Sequence, residues 1–171
     1  MKILNDFSTT VRKALWEIDP KYESYPGLVV CGTHSPHDVE EMLEEIRQAR
    51  EEGTPFLGIC FGHQLAAIEY ARNVLGQTSA TSEEFGAGVL VVTKLPRLKV
   101  GLYPTEPNYL NSPLETYWNN YEVIPGLLEI WKKADNFITC QYHPEYQSSK
   151  DKPHPLLVKF VNYCKNHGSK N

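Results

Sequence analysis

Apolar positions along the chain change period several times, and each change marks an element. Val11, Ala14 and Leu15 fall at helical spacing within Ser8–Ile18, and Asp19-Pro20 closes that helix. Residues 27–31 form a continuous apolar run followed by Gly32, the pattern of a parallel strand buried on both faces. Ser35-Pro36-His37-Asp38 predicts a helix start, with Ser35 as N-cap, Pro36 at the first helical position and an acid at the third. Val39, Met42, Leu43, Ile46 and Ala49 then share one side of that helix, with glutamates on the solvated side. Gly53-Thr54-Pro55 breaks the chain before a second buried strand at 56–59 and a helix at 64–75 that Gly76 stops. Residues 89–92 and 94–114 are rich in strand formers, Pro and Asn, and are predicted as short strands and loops over a site. Residues 127–131 and 137–142 read as antiparallel strands joined through Asp135-Asn136, and residues 155–164 as a closing helix. Strand–helix alternation early and strands later predict an α/β three-layer sandwich with an open, largely parallel central sheet. No repeat, linker or low-complexity stretch divides the chain, so one domain is expected over 1–171.

Two short motifs carry chemistry. Gly58-Ile59-Cys60-Phe61-Gly62-His63-Gln64 lies between the second strand and its helix. Gly58 and Gly62 remove side chains where strand and helix must meet in a tight elbow, as in G-x-S-x-G. Cys60 would sit at a helix N-terminus, where unpaired N–H groups favour thiolate, and the Phe61 N–H would face a developing oxyanion. A buried small cysteine would satisfy the same spacing. The second motif, Gln141-Tyr142-His143-Pro144-Glu145, changes the balance. In an extended strand residues two apart share a face, so His143 and Glu145 are expected to meet there. Attacker, base and orienting carboxylate are then all present, which points to a Cys–His–Glu acyl transferase or hydrolase.

These two motifs resemble the signatures of the class I glutamine amidotransferases. Residues 55–76, with Pro55-Phe56-Leu57-Gly58-Ile59-Cys60-Phe61-Gly62-His63-Gln64, and residues 137–148 are most similar, within that family, to the glutaminase domain of CTP synthases. The resemblance implies that Cys60, His143 and Glu145 hydrolyse a glutamine side-chain amide through a glutamyl thioester. It implies ammonia release, no metal and no cofactor. It further implies an oxyanion hole from Phe61, Gly32 and Thr33, and substrate contacts from Gly58, Gln64, Glu84, Asn120 and Tyr142. For Gln64 a helix-surface amide is the competing role. For Glu84, the expected ligand of the substrate's α-amino group, the neighbouring Glu83 competes. His63 lies beside the elbow, and Tyr117, Trp118 and Tyr121 either wall a pocket or pack the core.

Departures from the family pattern shape the expectation. The family's Pro-Gly-Gly-Phe-Gly is replaced by Cys31-Gly32-Thr33-His34-Ser35, which puts a β-branched residue at an oxyanion donor. The basic residue ahead of Tyr-Glu-Val is replaced by Asn120, which weakens any hold on a free α-carboxylate. The region before Gly27 is short, so a strand is expected to be missing or abbreviated. The sequence contains neither a synthase domain nor a G-x-x-x-x-G-K-[ST] loop, so an ammonia acceptor is expected to be a separate subunit. The alternatives are a stand-alone γ-glutamyl hydrolase and a catalytically silent regulatory module.

Composition narrows the classes further. An apolar fraction of 41% and a charged fraction of 22% are ordinary for a globular protein. A net charge of -4 without a Lys/Arg cluster argues against a nucleic-acid partner. The longest apolar stretch, around residues 86–92, is too short to span a bilayer. The N-terminus carries no signal-peptide pattern, and a cytoplasmic protein is expected. The four cysteines contain no C-x-x-C, so neither a zinc site nor a disulfide scaffold is expected, and Cys140 and Cys164 read as core. His34 and His37 lack a third metal ligand.

Overall fold

The computed structural model describes residues 1–105, 114–127 and 136–168. Its first sheet has the order β1 (Lys2–Leu4), β2 (Leu28–Val30), β3 (Phe56–Ile59) and β7 (Phe137–Cys140), all parallel. The first strand is therefore abbreviated to three residues rather than missing. Helices α1 (Ser8–Ile18) and α4 (Pro155–Gly168) cover one face of the sheet. Helices α2 (Val39–Glu52) and α3 (Phe61–Asn73) cover the other. A second sheet holds β4 (Ala80–Ser82), β5 (Val89–Tyr103) and β6 (Glu115–Val123).

Strand alternation divides the core in two. Leu28, Val30 and Phe56 point to α2 and α3, whereas Ile3, Val29, Leu57 and Ile59 point to α1 and α4. Each central strand is apolar on both faces, which is why residues 27–31 and 56–59 read as unbroken apolar runs. Helix α3 is buried nearly all round because the parallel sheet lies on one side and Ala80, Val91 and Val92 of the second sheet on the other. That position buries Glu69 completely. The Arg50 guanidinium on α2 answers it with bonds of 2.8, 3.0 and 3.1 Å to the Glu69 carboxylate.

Several sequence expectations are corrected. Ser35 does not cap α2. The helix begins at Val39 after Asp38 in the left-handed region, with no side-chain cap. The Ser35 N–H bonds the Thr33 hydroxyl and its carbonyl accepts from His37 Nδ1, so 33–38 forms a turn of its own. Helix α3 starts at Phe61, immediately after the cysteine, and ends at Asn73. In place of short strands over 89–103, β5 is one long strand antiparallel to β6, with an irregular stretch between Lys94 and Lys99 where Pro96 cannot donate; the rest of the predicted stretch, 106–113, lies outside the described residues. Strand β7 pairs in parallel with β3. Of the residues once expected to pair with it, 128–131 lie outside those described.

Two substitutions test the packing. A Cβ on Gly62 would lie 2.0 Å from the Val30 carbonyl oxygen, a backbone atom that cannot yield. Gly62→Ala is expected to cost about 3 kcal/mol or more, measured as a lowered urea midpoint, or to prevent folding. Arg50→Ala strands a buried carboxylate, and a loss of about 2–3 kcal/mol is expected because Arg50 itself stays a quarter exposed. The double change Arg50→Met with Glu69→Leu should recover most of it.

Candidate active site at the elbow between β3 and α3

The elbow is a consequence of close packing. Val30 on β2 leaves no room for a side chain at Gly62, and a Cβ on Gly58 would meet the Gly62 carbonyl group at 2.8 Å. With α3 pressed this close to the sheet, the chain turns within one residue. Cys60 takes that turn at φ 53 and ψ -100, outside the comfortable regions for an L-residue. Gly58 is held here by close packing against the first turn of α3. Cys60 is 7% exposed, at the carboxyl end of β3, where open α/β sheets place their sites.

The partner residues arrive from β7. Its last residue, Cys140, accepts the Cys60 N–H at 2.8 Å, and the chain continues through Gln141 to His143. His143 is held by its own N–H to the Thr116 carbonyl at 2.7 Å. Its Nδ1 donates to Glu145 Oε1 at 2.8 Å, with both side chains buried. The two do meet, but not by strand alternation: Glu145 lies in a single 3₁₀ turn, Pro144–Gln147. This bond leaves Nε2 as the acceptor nitrogen. Nε2 is buried and has Cys60 as its neighbour.

Burial opposes charging of this imidazole, yet Cys60 and Glu145 together overcome it and hold the His143 pKa well above its usual value. The Cys60 Sγ donates weakly to the Trp118 carbonyl at 3.5 Å and accepts from Gln141 Nε2 at 3.6 Å.

The remaining predicted residues fall in different places. Phe61 is the first residue of α3, so its N–H is one of the unpaired donors at a helix start. Gly32 lies against the imidazole, since a Cβ there would meet His143 Cε1 at 3.1 Å. Thr33 turns its hydroxyl to Asp6 and to the Ser35 N–H, and its φ is not positive. Gln64 is buried rather than a helix-surface amide, with Nε2 bonded to the Tyr121 carbonyl at 2.9 Å and to Gln141 Oε1 at 3.3 Å. Glu83 accepts the Lys94 N–H, whereas the Glu84 carboxyl is raised by burial in a half-exposed setting. Phe85, beside Glu84, meets Phe61 edge to face at 6.1 Å, which brings this turn to the elbow. Asn120 is exposed on β6.

Tyr142 packs on Tyr117 and His154, each at 6.1 Å between ring centres. His63 is kept neutral by burial, its pKa lowered to about 4, and its Nδ1 has no partner. Trp118 separates from Tyr117 and Tyr121 because alternation puts it on the opposite face of β6. Sequence reasoning missed the contacts that Gln141, Phe7, His34 and Tyr146 make around His143 and Cys60. Gln141 alone carried a signal, its place inside the second motif. No group of three or more metal-ligating side chains occurs among the described residues. Nor is any described helix long and apolar enough to cross a membrane.

A strained cysteine at a strand–helix elbow, facing a carboxylate-bound histidine over a parallel sheet, defines a nucleophile-elbow α/β protein. The family model described as glutamine amidotransferase class-I matches residues 5–163, and the chain belongs to that family. It is 31% identical to the CTP synthase of Methanoregula boonei over 201 aligned positions, covering 92% of this chain and 38% of that protein. It is 34% identical to the CTP synthase of Moorella thermoacetica over 178 positions, covering 79% and 33%. The chain thus spans little more than a third of these relatives. The fold matches the glutaminase domain of Trypanosoma brucei CTPS with bound acivicin at a TM-score of 0.76 and 20% identity, over 97% of this chain and 94% of that one.

The buried pair sets a pH expectation. Because the folded His143 pKa lies above the ordinary 6.5, its contribution to stability is complete below about pH 6.5 and is lost as pH rises through the folded value. Glu145→Gln removes one of the two groups that oppose burial. The His143 titration followed by NMR should then move down, and the alkaline loss of stability should shrink with it.

Proposed function

We propose that this chain is a Cys–His–Glu amidohydrolase that cleaves the γ-amide of glutamine or of a γ-glutamyl compound. The observation that carries the reading is the convergence, at one end of the parallel sheet, of the strained Cys60 with the buried His143–Glu145 pair. In this mechanism Cys60 Sγ attacks the side-chain carbonyl carbon as His143 Nε2 takes the thiol proton. The imidazolium, steadied by Glu145, returns that proton to the departing nitrogen, and the C–N bond breaks to leave a thioester. Water then attacks the thioester with His143 as base, releasing glutamate and the free thiol. The oxyanion in both steps is assigned to the N–H of Phe61 and one from Gly32 or Thr33. The Thr33 hydroxyl is drawn off to Asp6, and the Gly32 backbone lies close against the rings of His143 and Phe7.

Glu84 is the better candidate for the α-amino group, because Glu83 is engaged by the Lys94 backbone and Glu84 is not. Gln64 serves by fixing Gln141 and the Tyr121 carbonyl at the floor of the site. The two fates of the amine are delivery of ammonia to a separate synthase and simple release by a stand-alone hydrolase. Asn120, where the family carries a cation for the α-carboxylate, favours a substrate whose binding does not rest on that carboxylate alone.

The direct test is glutamate release from L-glutamine by the purified chain. Release is expected and should fall at least about a thousandfold in Cys60→Ala. Release that persists in Cys60→Ala would remove the assigned nucleophile.

A further inference from the structure

The side of the site that receives the departing nitrogen is built differently from the side that receives the glutamyl group. Resting on the Cys60 chemistry above, we infer that this side binds an aromatic or bulky apolar substituent on the leaving amine, through Phe7, His34, Trp118 and Tyr146.

The nitrogen must leave beside His143, because Nε2 gives it the proton. Any group attached to that nitrogen therefore extends past the imidazole, and the imidazole is walled by rings. Tyr146 stacks on it at 5.2 Å and 27°, and Phe7 meets it edge-on at 5.9 Å. From Phe7 the rings continue outward, with His34 at 4.7 Å from Phe7, Trp118 at 5.0 Å from His34, and Trp118 at 6.3 Å from Phe7. Trp118 is 43% exposed and Tyr146 39% exposed, so this run of rings, which begins at the imidazole, offers apolar surface to water. Val100, the cross-strand partner of Trp118, extends the same apolar surface.

Ammonia makes no use of such a collar. A ring on the leaving amine covers it and supplies binding energy away from the glutamyl end, where Asn120 offers no charge to a carboxylate. The reaction stays a hydrolysis: the amide C–N bond breaks, His143 protonates the amine, and water supplies the oxygen of glutamate.

The experiment compares glutamate release from L-γ-glutamyl-benzylamide and from L-glutamine, in the natural chain and in Trp118→Ala, Tyr146→Ala, Trp118→Phe and Cys60→Ala. The ratio of the two kcat/KM values within one preparation does not depend on how much of a variant folds. The benzylamide is expected to be favoured by about tenfold or more, the effect of one or two aromatic contacts. Trp118→Ala and Tyr146→Ala should each lower that ratio, and Trp118→Phe should keep most of it. Equal kcat/KM for the two amides, or a ratio unmoved in both alanine variants, overturns the collar and leaves the Cys60 reading in place. Release from neither amide above the Cys60→Ala level overturns both.

Discussion

The structure depends on one close approach, that of the first turn of α3 to the backbone of β2. Without side chains at Gly58 and Gly62, the helix reaches van der Waals contact with two strands at once. The same contact forces Cys60 into a backbone conformation that costs about 1–3 kcal/mol. Neighbours on every side pay for that strain, since Leu65, Ala66, Ala67 and Ile68 are all fully buried in the following turns. The cysteine is thereby presented on a rigid frame at a helix N-terminus, and its position does not depend on loop order.

Around this frame the electrostatics are arranged against water. His143 and Glu145 are both buried, and each would be costly there without the other. Gln141 and Gln64 form a polar floor with the Tyr121 carbonyl, so buried amides are answered without bringing in further charge. Glu115 and His154 make a second buried pair at 3.0 Å, joining the start of β6 to the segment leading into α4. Because the Thr116 carbonyl beside Glu115 accepts the His143 N–H, this pair also steadies the loop that carries His143. The β5–β6 hairpin is therefore more than a cover. It contributes a carbonyl to Cys60, another to the loop that carries His143 and a third to Gln64.

Much of the parallel sheet was legible in the chain itself. Residues 27–31 and 56–59 are short, apolar throughout and bounded by Gly or Pro, and a strand buried on both faces needs nothing more to be read. Ser8–Ile18 was legible to the residue because its apolar positions keep helical spacing up to Asp19-Pro20. The elbow was legible because only glycine satisfies the steric demand at 58 and 62, so a backbone requirement is written directly as residue type. Less was legible where partners decide. The start of α2 was misplaced because Ser35 had two possible partners, and Thr33 and His37 took both of its backbone groups.

What the sequence by itself determined is local: which segments alternate, where a side chain cannot fit, and which three residues have the chemistry of nucleophile, base and orienting acid. Tertiary structure alone decided how these come together. His143 and Glu145 meet through a 3₁₀ turn anchored on β6, and no periodicity of the local chain specifies that turn. Strand β7 joins β3 in parallel, a pairing between segments far apart in the chain. The rings of Phe7, His34, Trp118 and Tyr146 are distant in sequence, and only the fold brings Tyr146 and Phe7 onto the His143 ring and His34 and Trp118 beyond Phe7. Contacts of that kind depend on long-range geometry, whereas the signals readable in a chain are those that a residue's own shape and its near neighbours impose.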